Sequence, residues 1–523
     1  MAVNIVEILM QQAEIRGDAV ALADRKRGQR RALTFAELAA ATAAGSRLLL
    51  RSGLKRGDTI LFFHPVAIEL YTALLSALRA GMVAMFVDPS AGRKLMSRCC
   101  ELAQPAGLFG SPKAHLLRLL SRGVRRCPVK FSTGVSLPSA RRWDPGVCYE
   151  QVRVAEVDDD TPALITFTSG STGRPKGMVR SHGFLIAQHR ALQSALSLEP
   201  GQVDLITLPV FVLANLASGV TSVLADTDLA KPGRADADAV GAQAQDEGVT
   251  RVAASPAFLG RLLDRPRCLN SFDQIYTGGA PVFPPLLDAL KKAKPSANVF
   301  AVFGSSEAEP IAHIEHGEVS EQDRVAMRKG EGLLVGTPVA EIQLRVVQDT
   351  WGTPLGAMSG AEFDEKTCKR REPGEIVVTG DHVLKGYLHG IGDEETKFRV
   401  NDEIWHRTGD AGYLDERGRL WLLGRCSART TVAGTSLYPF AVEAALSFDS
   451  AVRRSAVATA NGRALLAVEL SPAARPEMDL PRIKEAIGWS GLLEEIVQVP
   501  VIPVDRRHNA KVDYPALEKM LDR

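Results

Sequence analysis

The first 330 residues alternate short apolar runs with longer stretches whose apolar positions recur at helical spacing. Thr59 to Phe63 and Val83 to Val87 are typical of buried strands, and Leu70 to Arg79 between them is typical of a helix. Thr34 followed by Glu37 predicts a capping box that opens a further helix. Further helices are predicted at 4–13, 183–196 and 256–263, and further strands at 163–167, 204–208, 250–254, 274–277 and 298–303. This alternation predicts an α/β fold in which helices flank mixed and parallel sheets.

The pattern changes after Gly332, where short β-type runs replace the alternation. Strands are predicted at 342–347, 375–379, 382–384 and 420–423, with the polar stretch 350–371 as a surface excursion. The last hundred residues predict another unit, with helices at 439–446 and 481–486 and strands at 455–459 and 464–470. We therefore predict a large N-terminal domain (1–424) with a β-rich subdomain, and a small mobile C-terminal α+β domain (425–523).

Composition narrows the class of protein. The 523 residues are 45% hydrophobic and 24% charged, as in ordinary globular proteins, and 63 lysines and arginines nearly balance 61 acidic residues. Global charge therefore argues neither for a nucleic-acid partner nor for an anionic membrane, although local charged patches remain open. The seven cysteines show no metal-ligand spacing, and no apolar run approaches the ~20 residues of a membrane span. The N-terminus does not resemble a signal peptide, so we expect a cytoplasmic protein; nothing in the sequence indicates its oligomeric state.

The first candidate for chemistry is the run Thr168-Ser169-Gly170-Ser171-Thr172-Gly173-Arg174-Pro175-Lys176-Gly177, which follows a predicted strand. Glycines expose backbone N–H groups, and the hydroxyls and cations add further donors for an anion such as a phosphate chain. Pro175 stands where a Walker loop needs its second glycine, so that nucleotide motif is excluded. The alternative is a flexible surface linker.

The same run resembles the signature loop of the adenylate-forming enzymes, which include acyl-CoA synthetases, peptide-synthetase adenylation domains and luciferases. The resemblance implies that the loop contacts the phosphates of ATP and that Lys176 stabilises the departing pyrophosphate. The residues assigned to ATP on this basis are Thr168, Ser169, Gly170, Ser171, Thr172, Gly173 and Lys176.

A second candidate is Phe303-Gly304-Ser305-Ser306-Glu307, at the carboxyl end of a predicted strand. Ser306 can donate to a phosphate, and Glu307 can hold the Mg²⁺ that neutralises ATP; the alternative is a cap for a following helix. The segment resembles the family's aromatic-Gly-x-Thr/Ser-Glu motif. Glycine-rich strand ends near 168, 278 and 304 are expected to converge on one crevice.

Four further motifs resemble the family and imply roles that the residues alone would not. Gly279, Ala280 and Pro281 match the adenine-contact loop, with Gly278 beside the acyl group and Phe303 stacking on the base. Asp410, in Trp405-His406-Arg407-Thr408-Gly409-Asp410, matches the aspartate that binds the ribose hydroxyls. Arg425 matches the hinge arginine, and Lys511 matches the lysine that bridges carboxylate and α-phosphate. Without the resemblance, these segments would be interpreted as turns and Lys511 as a solvated surface lysine.

Two positions depart from the family pattern. Ser427 stands where an Asp or Lys is usual after the hinge arginine, and Asn509-Ala510-Lys511 replaces the usual Gly-Lys. This ending, with the Ser-Glu-Ala-Glu-Pro run that begins at Ser306, looks most like the β-lactone synthetase branch. In that branch a β-hydroxy acid is adenylated and its own hydroxyl displaces AMP.

The substrate side is predicted from Leu208 to Leu216, which matches the entry to the family's acyl pocket. Phe211 and Asn215 are the candidate contacts; no charged partner for an amino group is present, so an aliphatic acid is favoured over an amino acid. The alternative is that these residues simply belong to the hydrophobic core. The expected reaction joins a carboxylic acid to ATP as acyl-AMP, and CoA, a carrier protein or an internal hydroxyl then displaces AMP. A nucleotide-binding protein without catalysis is the alternative of another class.

Overall fold

The computed structural model describes residues 4–88, 92–145, 152–169, 175–432, 435–460, 463–488, 493, 495–504 and 511–522. The helices are α1 (Ile5–Arg16), α2 (Phe35–Arg51), α3 (Ile68–Arg79), α4 (Gly92–Ala103), α5 (Leu117–Leu120), α6 (Arg122–Arg126), α7 (His182–Ala195), α8 (Phe211–Ala217), α9 (Ala237–Asp246), α10 (Pro256–Leu263), α11 (Pro284–Ala293), α12 (Glu321–Arg328), α13 (Gly360–Lys366), α14 (Asp393–Thr396), α15 (Pro439–Leu446), α16 (Pro476–Ala486) and α17 (Tyr514–Leu521).

The strands are β1 (Val20–Lys26), β2 (Gln29–Thr34), β3 (Thr59–Phe63), β4 (Val83–Phe86), β5 (Gly107–Gly110), β6 (Val129–Thr133), β7 (Arg141–Trp143), β8 (Pro162–Ser169), β9 (Pro175–Ser181), β10 (Val203–Ile206), β11 (Thr221–Leu224), β12 (Arg251–Ala254), β13 (Gln274–Gly278), β14 (Asn298–Ser305), β15 (Ala308–Glu315), β16 (Leu333–Pro338), β17 (Gln343–Val347), β18 (Gly374–Thr379), β19 (Lys397–Val400), β20 (Glu403–Leu414), β21 (Leu420–Arg425), β22 (Thr430–Val432), β23 (Thr435–Leu437), β24 (Val452–Ala460), β25 (Arg463–Leu470) and β26 (Glu495–Gln498). Thr34 and Glu37 form the predicted reciprocal capping box at the start of α2.

The chain divides into two compact units. The first comprises 1–226, 245–250 and 381–393, and the second comprises 227–244, 251–380 and 394–523. The predicted domain boundary at Arg425 therefore falls inside the second unit. A hinge at that position stays a prediction.

The first unit contains two sheets built mainly from parallel strands. One sheet has the strand order β7-β6-β5-β3-β4-β8-β9, in which only the β8–β9 pair is antiparallel. The other set of strands has the order β10-β11-β1-β2. A large apolar cluster fills the space beside these strands, with α3 at its centre because almost every residue of α3 is buried. Parallel strands require such cover on both faces, and the continuous apolar runs predicted it.

The second unit changes from parallel to antiparallel pairing along its sheet. Strands β12, β13 and β14 are parallel neighbours, and β14 then turns back into β15 through a hairpin. The antiparallel order continues through β16, β21, β20, β18 and β17. The last segment adds a smaller sheet, β24-β25-β26, whose apolar face is covered by α15 and α16. The second unit therefore contains the predicted β-rich region and the predicted C-terminal combination of helices and strands.

Candidate active site

Asp410 and Arg425 meet because their strands pair in register. Asp410 on β20 lies opposite Arg425 on β21, and Arg425 Nε lies 3.2 Å from Asp410 Oδ1. Arg425 Nη1 also donates to the carbonyl of Thr408 at 3.1 Å. Both residues thus face one another at the end of β21, where the chain enters the last hundred residues.

A bulge in β20 gives Asp410 its position. The pairing of β18 with β20 shifts between Val377–Arg407 and Glu375–Ala411, so Thr408, Gly409 and Asp410 lie opposite a single residue, Ile376. Gly409 has a φ of 70°, and a Cβ there would lie 2.8 Å from the Trp351 ring, so only glycine fits. Bulges of this kind redirect a side chain away from the regular alternation of a strand.

Glu307 and Lys511 belong to the same electrostatic neighbourhood as this pair. Burial raises the pKa of Asp410, Arg425 and Lys511 lower it, and Glu307 raises it. A charge acts on a neighbour's pKa in this way only over short distances. The second unit therefore brings together four of the residues predicted from sequence: Glu307, Asp410, Arg425 and Lys511.

Ser306 and Glu307 occupy the tip of a hairpin between β14 and β15. Ser305 Oγ accepts from the backbone N–H groups of Glu307 (3.3 Å) and Ala308 (3.2 Å), and Ser305 pairs with Ala308 across the turn. The alternative of a helix cap is wrong, because a strand follows. The side chains of Ser306 and Glu307 are held at the carboxyl end of β14, as the strand pattern predicted.

The loop that begins at Gly278 lies beside this hairpin, because β13 and β14 are adjacent parallel strands with Gly278 opposite Val302. A Cβ on Gly278 would lie 2.6 Å from the Val302 carbonyl oxygen, so the close approach needs glycine. Gly279 has a φ of 77°, and its Cβ position faces open space. Gly279 is exposed, and Ala280, Pro281 and Phe303 are half-buried. An open glycine beside a half-buried aromatic ring suits a flat base.

The segment that carries Lys511 is fixed by contacts on its C-terminal side. Val512 bridges to Val504, and the backbone N–H of Asp513 donates to the Pro503 carbonyl at 2.9 Å. Tyr514, the first residue of α17, donates its hydroxyl to Glu443 Oε1 on α15 at 2.8 Å. Lys511 itself is exposed at the end of this anchored stretch. Sequence analysis missed the Glu443–Tyr514 pair, because the two residues lie 71 positions apart without a local motif.

The buried Glu443 carboxyl predicts a pH-dependent stability. Burial raises the pKa of Glu443 to about 7, against the opposing hydrogen bond from Tyr514. Between about pH 4.5 and 7 the folded protein holds a proton that the unfolded chain releases, so this group's contribution to stability falls as pH rises. Glu443→Gln removes the titration, so we expect its free energy of unfolding relative to wild type to rise by about 2.5 kcal/mol from about pH 5 to pH 8.

Urea unfolding at the two pH values measures this difference. Glu477→Gln, which changes an exposed glutamate on α16, is the matched control and should show no such pH dependence. An equal effect of both substitutions would contradict the assignment.

The cation at the end of the glycine-rich run belongs to a strand. Gly170, Ser171, Thr172 and Gly173 lie outside the described residues. Thr168 and Ser169 end β8, and Lys176 lies in β9 opposite Thr168. The prediction that the loop extends through Lys176 and Gly177 is therefore wrong, because Pro175–Ser181 pairs with β8.

Lys176 is buried within the first unit. Its ammonium lies 5.8 Å from the centre of the Tyr387 ring, a cation–π arrangement. A Cβ at Gly392 would come within 2.7 Å of the Lys176 side chain, so the 381–393 segment lies directly along it. The role of Lys176 toward pyrophosphate stays a prediction.

The two candidate substrate residues of α8 are buried. Phe211 is 6% exposed, and Asn215 is 1% exposed and donates from Nδ2 to Asp204 Oδ2 (2.8 Å) and to Ser222 Oγ (3.3 Å). These contacts tie α8 to the strands β10 and β11. The described contacts of Asn215 are those of a structural residue, and its contact with substrate stays a prediction.

The described residues contain no group of three or more side chains that could hold a metal ion, and no helix among them is both long and apolar enough to cross a membrane. Mg²⁺ at ATP sites commonly uses one or two carboxylates and takes its other ligands from phosphates and water. Glu307 is half-buried at the hairpin tip, and with a second carboxylate in its electrostatic neighbourhood it fits that pattern.

The chain is an adenylate-forming ligase, and it belongs to the AMP-binding enzyme family, whose sequence profile matches residues 9–388. An olefin beta-lactone synthetase of Stenotrophomonas maltophilia is 31% identical over 97% of this chain and 96% of that protein. A 2-succinylbenzoate–CoA ligase of Bacillus pumilus is 28% identical over 81% of this chain and 79% of that protein. The amide bond synthetase McbA from Marinactinospora thermotolerans shares the fold, with a TM-score of 0.81 and 21% identity over 99% of both chains.

Proposed function

We propose that Glu307, Asp410, Arg425 and Lys511 form the nucleotide end of an acid-activating site. The observation that carries this proposal is that Arg425 pairs with the half-buried Asp410 in the second unit, while the charges of Lys511 and Glu307 act on the same carboxylate. Asp410 can accept hydrogen bonds from two ribose hydroxyls, since a carboxylate has two acceptor oxygens. The ammonium of Lys511 would neutralise the charge that develops when a carboxylate oxygen attacks the α-phosphorus.

Magnesium would be held by Glu307 together with the phosphate oxygens, and it would supply neutralisation of the triphosphate. Ser306 beside it would donate to a phosphate oxygen. Gly279, Ala280, Pro281 and Phe303 would frame the adenine, with Gly279 allowing close approach of the base. Thr168 to Gly173 would hold the phosphate chain.

For the second half-reaction we propose β-lactone formation from a β-hydroxy acid. The acyl-AMP carbonyl carbon is attacked by the substrate's own β-hydroxyl oxygen; the bond to AMP breaks, the hydroxyl loses its proton and AMP departs. Support comes from the S. maltophilia relative, whose alignment spans nearly both chains. The Asn-Ala-Lys ending and the apolar residues 208–216 are consistent with a hydrophobic β-hydroxy acid.

A second candidate uses an external thiol, CoA or a carrier protein, to displace AMP. It is favoured by the name of the B. pumilus relative, which covers less of this chain at lower identity. Both candidates share the same adenylation step. They differ in the identity of the nucleophile, and therefore in whether a thiol is required.

Product analysis by mass spectrometry separates them. With ATP, Mg²⁺ and a chain-length series of β-hydroxy acids, we expect a product lighter than the acid by one water, together with AMP and pyrophosphate, without CoA. The matched acid lacking the β-hydroxyl should release pyrophosphate only slowly and give no lactone. A product that requires CoA and carries its mass would show the thioester ligase instead. Absence of acid-dependent pyrophosphate release with every acid would overturn the adenylation proposal itself.

A further inference from the structure

Residues 92–145 of the first unit are strongly basic, in contrast to the chain as a whole. They contain eleven lysines and arginines against two carboxylates, Glu101 and Asp144, whereas the full chain has a net charge of only +2. The rest of the chain is therefore net acidic. Such a local excess creates a positive field that attracts anionic surfaces.

Three leucines in the same stretch face solvent. Leu116 is 60% exposed, Leu119 76% and Leu120 53%, and their spacing places them on one side of the turn that leads into α5. Leu117 packs instead against the buried apolar cluster beneath, so the inner side of the turn is already covered by apolar contacts. The outer leucines lack that cover, and three large exposed side chains on one turn are unusual for a protein surface.

Arginines follow these leucines directly. Arg122, Arg125 and Arg126 on α6 are exposed, and within the described part of the chain no carboxylate lies in ion-pair distance of any of them. Val124 on the same helix and Cys127 directly after it are buried, so α6 lies flat with its arginines outward. We call Leu116, Leu119, Leu120, Arg122, Arg125 and Arg126 the basic-leucine surface.

The neighbouring element adds further cations. Helix α4 packs on α6, because Gly123 meets Cys100 so closely that a Cβ there would lie 2.5 Å from the Cys100 Cβ, and Ser97 Oγ lies 3.0 Å from Ser121 Oγ. Arg93 and Lys94 on α4 are exposed. The cations thus spread over two packed helices and do not line a single narrow groove.

We propose that the basic-leucine surface binds the face of an anionic phospholipid bilayer, seating the protein on the membrane without spanning it. Exposed leucines would enter the boundary between headgroups and acyl chains, while the flanking arginines pair with lipid phosphates. A laterally extended charge of one sign, with apolar side chains projecting from it, complements a planar anionic surface. An acidic protein partner would be matched by cations alone and would leave the leucines unexplained.

Vesicle flotation of the full-length protein tests the proposal. We expect binding to vesicles of phosphatidylcholine with one third phosphatidylglycerol, and little binding to phosphatidylcholine alone. The variant Arg122→Glu/Arg125→Glu/Arg126→Glu should lose on the order of a hundredfold in partition coefficient, since each arginine contributes about fivefold. The variant Leu116→Ser/Leu119→Ser/Leu120→Ser should lose on the order of tenfold for each leucine that inserts.

Matched controls change equally exposed residues elsewhere. Arg267→Glu/Lys292→Glu/Arg417→Glu alters the same number of charges in the second unit, and Met478→Ser/Val501→Ser removes exposed apolar side chains there. Both controls should bind vesicles nearly as wild type does. A urea-unfolding midpoint equal to that of the wild type shows that each surface variant is folded.

Three results would overturn the proposal. One is no binding of the wild-type protein to anionic vesicles at low salt. Another is equal loss in the surface variants and their controls. The third is indifference to lipid combined with binding to an acidic acyl carrier protein that the arginine variant abolishes, which would make the surface a protein-docking site.

Discussion

Replacement of Lys511 by alanine is expected to slow acid-dependent pyrophosphate release by about 100- to 1,000-fold. The substitution removes a cation that acts on Asp410 and that would balance the negative charge of the pentacoordinate phosphorus. Losing one preorganised charge or donor at a developing charge costs rates of about this size. ATP–pyrophosphate exchange with the preferred acid measures the adenylation step directly, before any displacement of AMP.

Lys519→Ala is the matched control, because Lys519 is an exposed lysine eight residues further along, on α17. It should leave the exchange rate within about twofold of wild type, as expected for a solvated charge. If Lys511→Ala lowers the apparent affinity for ATP while the maximal exchange rate stays unchanged, the lysine binds the ground state only. An unchanged rate at all ATP concentrations would contradict the assignment.

Replacement of Arg407 by methionine is expected to lower the free energy of unfolding by about 3–5 kcal/mol. Arg407 and Glu375 are 1% and 0% exposed, with Arg407 Nη2 2.6 Å from Glu375 Oε2. Burial raises the pKa of Glu375, and Arg407 opposes that rise. Without the guanidinium, Glu375 would be left as a buried charge or would take up a proton. The pair also anchors β20 three residues before Asp410, so activity should fall with stability.

Urea unfolding provides the measurement, and two variants act as controls. Arg371→Met breaks the exposed ion pair with Glu416 and should cost less than about 1 kcal/mol. The double variant Arg407→Met/Glu375→Leu should recover much of the lost stability, because it leaves no unpaired charge. A loss from Arg407→Met no larger than that from Arg371→Met would show that the buried pair does not stabilise the second unit.

The Tyr438–Asp349–Arg429 contacts connect these stability arguments to the predicted hinge. Tyr438 donates to Asp349 Oδ2 at 2.9 Å, and Arg429 Nη1 lies 2.9 Å from the same carboxylate. Both partners follow Arg425 in the chain, while Asp349 precedes it by 76 residues. The segment just after Arg425 is therefore fastened to the sheet in this structure. The predicted rotation about residues 425–427 would have to break this contact.

Local signals were enough to predict many of the elements. Strand β3 and helices α10 and α15 have the bounds predicted from apolar spacing and an initial proline, and the capping box of α2 formed as predicted. The membership in the adenylate-forming family was also readable, because its motifs are short and contiguous. These features depend on neighbours within about one helical turn or one strand, so a linear sequence contains all the required information.

The remaining features depended on which distant residues meet. Residues 382–384 do not form the predicted strand, since the 381–393 segment packs along Lys176 instead. The hairpin at Ser306, the bulge that positions Asp410, and the buried pairs Glu375–Arg407 and Glu443–Tyr514 all join segments that are separated in the chain or depend on strand register. Sequence could supply the charged groups and the glycines, but only the folded chain decides their partners. A charge buried beside its partner and a charge in water have the same sequence letter, and they differ in solvation and in the chemistry that they can perform.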